Sequence, residues 1–208
     1  KVKNAVKLQQ WEEAAEELLT YYRSRFIGVA SQGLRSQDKK SADLALKHYF
    51  KGNKGYPELY RGEDIEWLGK GTYQDKVVHD NEWLFQFHRL NWWPALAKTY
   101  RETNDERYFM EWQHELKSYL KAIFPMTEKS PWFLKRGMEC ESRNRNLMEA
   151  LPHLIFSENF DSETLLEVLY MLHHQTEQIR KVYAAKGNHL LADLDGVLAT
   201  AVEFPEFK

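Results

Sequence analysis

Apolar residues that return every three and four positions constrain this chain more than any other feature. The clearest run is Leu165, Leu169, Leu172, Thr176, Ile179 and Tyr183, inside a helix read over residues 161–183. Phe109, Trp112, Leu116, Tyr119 and Ile123 make a second stripe, with Asp105 as the cap of its helix. Leu8, Trp11, Ala15, Leu18 and Tyr22 make a third, in a helix expected over residues 4–25. A fourth joins Trp83, Phe87, Leu90, Ala97 and Tyr100 and ends at Thr103 and Asn104; Pro94 within it demands a kink or a late helix start. Helices are also expected over residues 139–156 and 188–202, and a short one from Ser41, as cap, to His48. No long apolar β-run interrupts this series. The fold class is therefore read as all-α, built from successive helical hairpins. Such hairpins stack as a solenoid or close into an α/α toroid, and periodicity alone does not separate the two.

Three segments lose the helical period. Residues 28–40 gather Gly, Ser and Gln and read as a loop. Residues 51–80 hold Gly52, Gly55, Pro57, Gly62, Gly69 and Gly71 among Tyr56, Tyr60, Trp67 and Tyr73, with a pair of short strands expected from Gly71 to Val78. Residues 125–136 place Trp132 and Phe133 beside Lys129, Lys135 and Arg136. Long irregular segments rich in aromatics belong to function more than to disorder. Aromatic residues are 14% of the chain, which exceeds what loops alone can hold, so most are assigned to the core. Trp132, in a loop, is the better ring for stacking on a sugar; Trp11 is placed on a core stripe.

Composition excludes several classes. A formal net charge of −2 gives no overall basic field for nucleic acid. No apolar run approaches the length of a membrane span. Cys140 is the only cysteine, which rules out an intrachain disulfide and a cysteine-based zinc site, and fits a cytosolic or a periplasmic protein. His173, His174 and Glu177 share a helical neighbourhood, yet no third ligand follows by spacing, so no metal site is read there.

The run Gly187-Asn188-His189 sets a carboxamide beside an imidazole at the start of a helix. One reading is purely structural: Gly187 closes one helix and Asn188 caps the next. The other is chemical. Uronic-acid polysaccharides are cut by β-elimination, in which the proton on C5, beside the carboxylate, is removed. An uncharged donor such as the Asn188 amide, aimed at that carboxylate, stabilises the enolate-like charge that develops. Tyr and His suit the proton transfers, and a helix N-terminus favours an anionic group. Arg89 lies two helical turns after Glu82, so the two are expected on one face near Trp93, as an ion pair or as sugar contacts. Arg143 and Arg145, with Lys135 and Arg136, have the fork geometry and charge for sulfate or carboxylate, diluted by Glu139 and Glu141.

A family resemblance follows from motifs in order. Leu84-Phe85-Gln86-Phe87-His88-Arg89-Leu90-Asn91-Trp92-Trp93, the stretch Thr103-Asn104-Asp105-Glu106-Arg107-Tyr108, Glu141-Ser142-Arg143-Asn144-Arg145, Gly187-Asn188-His189-Leu190 and Phe204-Pro205-Glu206-Phe207 together resemble the N-terminal region of heparinase II/III-type lyases, the heparinase III (heparin-sulfate lyase) type above all. The likeness is best from His79 onward. It implies an incomplete α/α toroid, with residues 1–208 as a truncated N-terminal domain and a β-sandwich following in the full protein. It implies β-elimination on a glycosaminoglycan, heparan sulfate of low sulfation first, with no redox cofactor and in the periplasm or outside the cell. Asn188 would neutralise the uronate carboxylate, with His189 beside it. The family's catalytic Tyr and a second His would lie beyond Lys208, so the 208 residues alone are expected to be inert. Its partner is expected to be an acidic polysaccharide, neither nucleic acid nor membrane. Two alternatives stand: a lyase for alginate or another uronan, and a helical domain that binds glycans without cutting them.

Overall fold

A computed structural model of the chain describes residues 1–29, 33–52, 57–69, 72–73, 76–77 and 81–207, with 72–73 and 76–77 described by backbone alone. Gly55, Tyr56, Gly71, Val78 and His79 lie outside the described residues. The first expected helix is two. Gln9 turns the chain at φ 59°, separating α1 (Val2–Lys7) from α2 (Trp11–Phe26). That turn carries Leu8 and Trp11 into solvent, each 63% exposed, while Ala14, Leu19, Tyr22 and Phe26 are buried. The core stripe expected at Leu8 and Trp11 is thus corrected: α2 buries a face starting one turn later. Helix α3 (Ser36–Ala45) also begins earlier than expected, where Arg35 pairs with Asp38 at 2.7 Å across the first turn. Ser41 is inside this helix and not its cap.

Strand β1 (Tyr49–Phe50) pairs antiparallel with β2 (Leu59–Tyr60), a hairpin that no alternation announced. Strands β3 (Thr72–Tyr73) and β4 (Lys76–Val77) pair where two short strands were expected. The fourth stripe divides as Pro94 required. Helix α4 (Asn81–Phe87) stops, Leu90 turns the chain at φ 58°, and α5 (Trp93–Thr103) starts with Pro94 in its first turn, where a missing N–H breaks no helical bond. Asn104, left-handed at φ 51°, closes α5. Asp105 then caps α6 (Glu106–Ile123), accepting the Arg107 N–H at 3.1 Å. Four more helices follow: α7 (Trp132–Lys135), α8 (Gly137–Leu154), α9 (Ser162–Lys181, capped by Asp161) and α10 (Gly187–Glu203). The all-α reading is right, with only these two-residue strands among the described residues.

Helix α8 is central, packed against α5, α9 and α10. Trp93, Trp112, Leu116, Tyr119, Leu147, Leu151 and Leu172 are sealed in the core. Glu115 is sealed with them, its Oε2 accepting the indole N–H groups of Trp92 and Trp93 at 2.6 and 2.7 Å. A polar layer joins the last three helices. Asn144 of α8 accepts the Gln175 amide of α9 at 2.9 Å and donates to Thr176 at 3.0 Å and to Thr200 of α10 at 3.4 Å. At the α8–α10 crossing each helix contributes a glycine. Gly196 leaves no room for a side chain against Glu141, and Gly137 none against Asp193. Helix α10 thus meets α8 with Asp193, Gly196 and Thr200, and leaves Leu191, Leu194, Leu198 and Val202 exposed.

Candidate functional site

A cavity of about 760 Å³ lies between the segment from Met126 to Met138, the end of α9 and the start of α10. Its first wall is a loop interrupted by the single turn of α7, which carries Trp132 where a loop was expected, and side chains fix the wall in place. His174 accepts the Met126 N–H through Nε2 at 3.2 Å, and Lys135 Nζ donates to the carbonyls of Thr127 and Glu128 at 3.1 and 2.7 Å. Gln178 of α9 donates to the Lys135 carbonyl at 3.2 Å. A segment without regular hydrogen bonding must satisfy its backbone by such side-chain ties. They hold Trp132 at the cavity with 58% of its surface exposed, edge-on to Phe85 at 5.2 Å.

Arg136 follows, at the uncapped start of α8. Its guanidinium carbon stands 4.3 Å from the centre of the Phe85 ring and 5.5 Å from that of Trp132. Its Nε is 3.2 Å from Oε2 of Glu139, whose side chain is fully buried. The other oxygen of Glu139 takes Arg89 Nη2 at 2.9 Å, so one carboxylate serves two guanidinium groups.

The second wall is the turn from α9 into α10. Asp193, 2% exposed, accepts the Ala184 N–H through Oδ2 at 2.8 Å and so ties the turn to the second coil of α10. The carboxylate rests on the bare Cα of Gly137, which locks α10 to α8 at the same place. Gly187 supplies the φ of 78° that starts α10. His189 then lines the cavity, its Nδ1 3.5 Å from Arg136 Nη2. Lys135, Arg136 and Lys181 around the cavity face Glu128 and Asp193, a lining that suits an acidic and ring-bearing ligand.

The expected site residues therefore part company. Trp132 and His189 meet at the cavity. Asn188 is exposed on the first turn of α10, next to His189, and its side chain makes no hydrogen bond among the described residues. The capping role is corrected, since Lys186 holds that position and Asn188 lies inside the helix. Glu82 and Arg89 do not share a helix: α4 ends at Phe87, Glu82 accepts from Gln86 at 2.6 Å, and Arg89 pairs with Glu139. Neither lines the cavity, and Arg89 reaches it only through Glu139 and Arg136.

Arg143 is wholly buried and out of reach of any sugar, which corrects its place among the sugar contacts. It donates to the carbonyls of Leu134 and His88 at 2.7 and 3.1 Å and to the Gln175 side chain, pinning α7 and α9 from behind. Cys140 is buried beside it, and burial pushes its thiol up to about 11. His173 faces Phe207 and His174 is used by the loop. Glu139, Asp193 and Gly137 were missed. The spacing of Arg136 and Glu139, three residues apart, was the one available signal, and it reads equally well as a surface pair.

The family model described as Heparinase II/III N-terminus matches residues 1–208. The chain belongs to the heparinase II/III N-terminal family. Within that family, it is 32% identical to a heparin-sulfate lyase of Pedobacter heparinus, over 100% of this chain and 33% of that protein. A heparin-sulfate lyase of Bacteroides stercoris is 31% identical over 94% of this chain and 32% of its own length. The crystal structure of heparan sulfate lyase HepC from Pedobacter heparinus superposes with a TM-score of 0.90 at 30% identity, covering 100% of this chain and 34% of that one. This chain spans about a third of the length of these heparinase relatives.

Proposed function

We propose that this chain is the front part of a polysaccharide lyase that cuts heparan sulfate by β-elimination. The observation that carries the reading is the seating of Asn188 and His189. The turn that presents them is fixed to α8 by Asp193, the Asn188 amide is exposed beside the cavity with its hydrogen-bonding groups uncommitted among the described residues, and His189 and Trp132 line that cavity. An amide held this way meets a uronate carboxylate without adding charge and stabilises the carbanion-like state once the C5 proton leaves. As the C4–O bond breaks, a C4–C5 double bond forms and the departing oxygen takes a proton. The His189 ring lines the cavity beside that amide. The residues that remove and return the protons come, on this reading, from outside these 208 residues. The helices then form part of an α/α toroid, in which the leucine stripe of α10 is the surface for a neighbouring helix. The relatives are heparin-sulfate lyases, which supports heparan sulfate over alginate as the substrate.

The test uses the full-length protein, heparan sulfate and the absorbance of the unsaturated uronate product. Wild type should cleave, with chondroitin sulfate and alginate turned over more slowly. Asn188→Ala should lower kcat by about a hundredfold or more with its circular dichroism unchanged, as for removal of one donor to a developing anion. Near-wild-type turnover by Asn188→Ala would remove the amide from the mechanism.

A further inference from the structure

Arg136 differs from every other cation near the cavity in how it is held. Lys135 spends its ammonium on two loop carbonyls, Arg89 is turned to Glu139, and Lys181 is exposed at the cavity edge without a ring or buried acid to fix it among the described residues. Arg136 is clasped on its faces, by Phe85 and Trp132, and on its Nε edge by Glu139. The contact to Glu139 is an ion pair and not a hydrogen bond: Oε2 of that buried carboxylate has no hydrogen-bond partner among the described residues. The contact of Nη2 to His189, at 3.5 Å, is too long to consume a donor. The N–H fork of Arg136 is thus immobilised and yet unspent among the described residues, with about a quarter of the side chain open (24%). One buried carboxylate shared by two arginines also leaves an excess of positive charge, and Arg136 is the member that lines the cavity.

We propose that Arg136 is a specificity-determining anion clamp, gripping a carboxylate or sulfate of the sugar that lies between Trp132 and His189. The identity of the sugar rests on the lyase reading; the demand for an anion rests on the fork alone. A planar, pre-oriented guanidinium takes two oxygens of such a group at once, while the aromatic faces spare it the entropy of ordering. A lysine would keep the charge and lose both the fork and the stacking. The clamp acts on binding, because the acidic group it meets is not the carboxylate on the reacting C5, and its charge is the same before, during and after the reaction.

The experiment compares the full-length protein with its Arg136→Lys and Arg136→Met variants. Kinetics are read on heparan sulfate. Calorimetric binding is read on size-defined heparan sulfate oligosaccharides, native and chemically desulfated, in an Asn188→Ala background that consumes them about a hundredfold more slowly. Both variants should raise KM and Kd by about tenfold or more, with kcat held within about threefold. If desulfation erases the difference between wild type and variant, the gripped group is sulfate; if the difference persists, it is the carboxylate. Either result supports the clamp. Unchanged Kd in Arg136→Lys and Arg136→Met would overturn it, and so would a fall confined to kcat. Should Arg136→Met fold poorly, Arg136→Lys decides alone. Wild type that binds these oligosaccharides without cutting them would sink the lyase reading and leave the clamp to the calorimetry. Wild type that binds no acidic oligosaccharide would sink the clamp.

Discussion

Arg136 and Arg143 are seven residues apart at the start of α8, and the same side chain does opposite work in the two places. Arg143 is sealed, and its donors end on two backbone carbonyls and on Gln175. Arg136 is held by flat rings and a shared carboxylate, with its donors unspent. What separates a structural arginine from a ligand-binding one here is the accounting of its N–H groups. The charge is the same in both, although Arg136 stands at the boundary of α8 and Arg143 two turns inside it.

The largest effect expected from this contrast is on Arg143. Arg143→Met strands the Gln175 oxygen and two carbonyls in the core, so chemical denaturation should show a loss of about 3–5 kcal/mol. A loss below about 1 kcal/mol would mean the sealed network is not what joins α7, α8 and α9.

Glu115 extends the contrast to a sealed acid. Burial, and then the neighbouring Glu111, raise its pKa well above 4.5, outweighing the two indole donors that favour the anion. With the folded value above the unfolded one, its contribution to stability is full below the unfolded pKa and is lost as pH rises through the folded pKa. Glu115→Gln removes that loss and keeps an N–H for Glu111. Melting curves should therefore show the variant gaining on wild type as pH rises above about 5. A difference that stays flat with pH would mean Glu115 titrates normally.

The smallest effect belongs to Arg136. Because Glu139 keeps Arg89, Arg136→Met should cost less than about 1 kcal/mol in the same denaturation experiment. A cost equal to that of Arg143→Met would erase the distinction between the two arginines.

Much of the fold was legible because apolar spacing is a local signal. The stripe of α6 is buried from Phe109 to Ile123, Asp105 caps it, and Pro94 falls at a helix start. Where local signals were weak, the reading slipped. Gln9 turns the chain without glycine or proline, so α1 and α2 looked continuous and Trp11 looked buried. Of the site, residue type alone singled out Trp132, Asn188 and His189; the structure sets Trp132 on α7 and the pair on the first turn of α10, not in loops. Arg143 was misplaced, and Glu139 and Asp193 were overlooked, for one reason. Whether a charged residue on a helix faces water or a neighbour depends on a partner far away in sequence, such as Gln175 for Arg143 or Gly137 for Asp193.

The seat of Asp193 on Gly137 has a mechanical consequence. The loop wall of the cavity enters α8 at Gly137, and the amide-bearing turn is hooked to the same spot through Asp193 and Ala184. The two sides therefore share one fulcrum. Anything that displaces the beginning of α8 shifts both jaws together, so the gap between Trp132 and His189 is kept by a single missing methyl group.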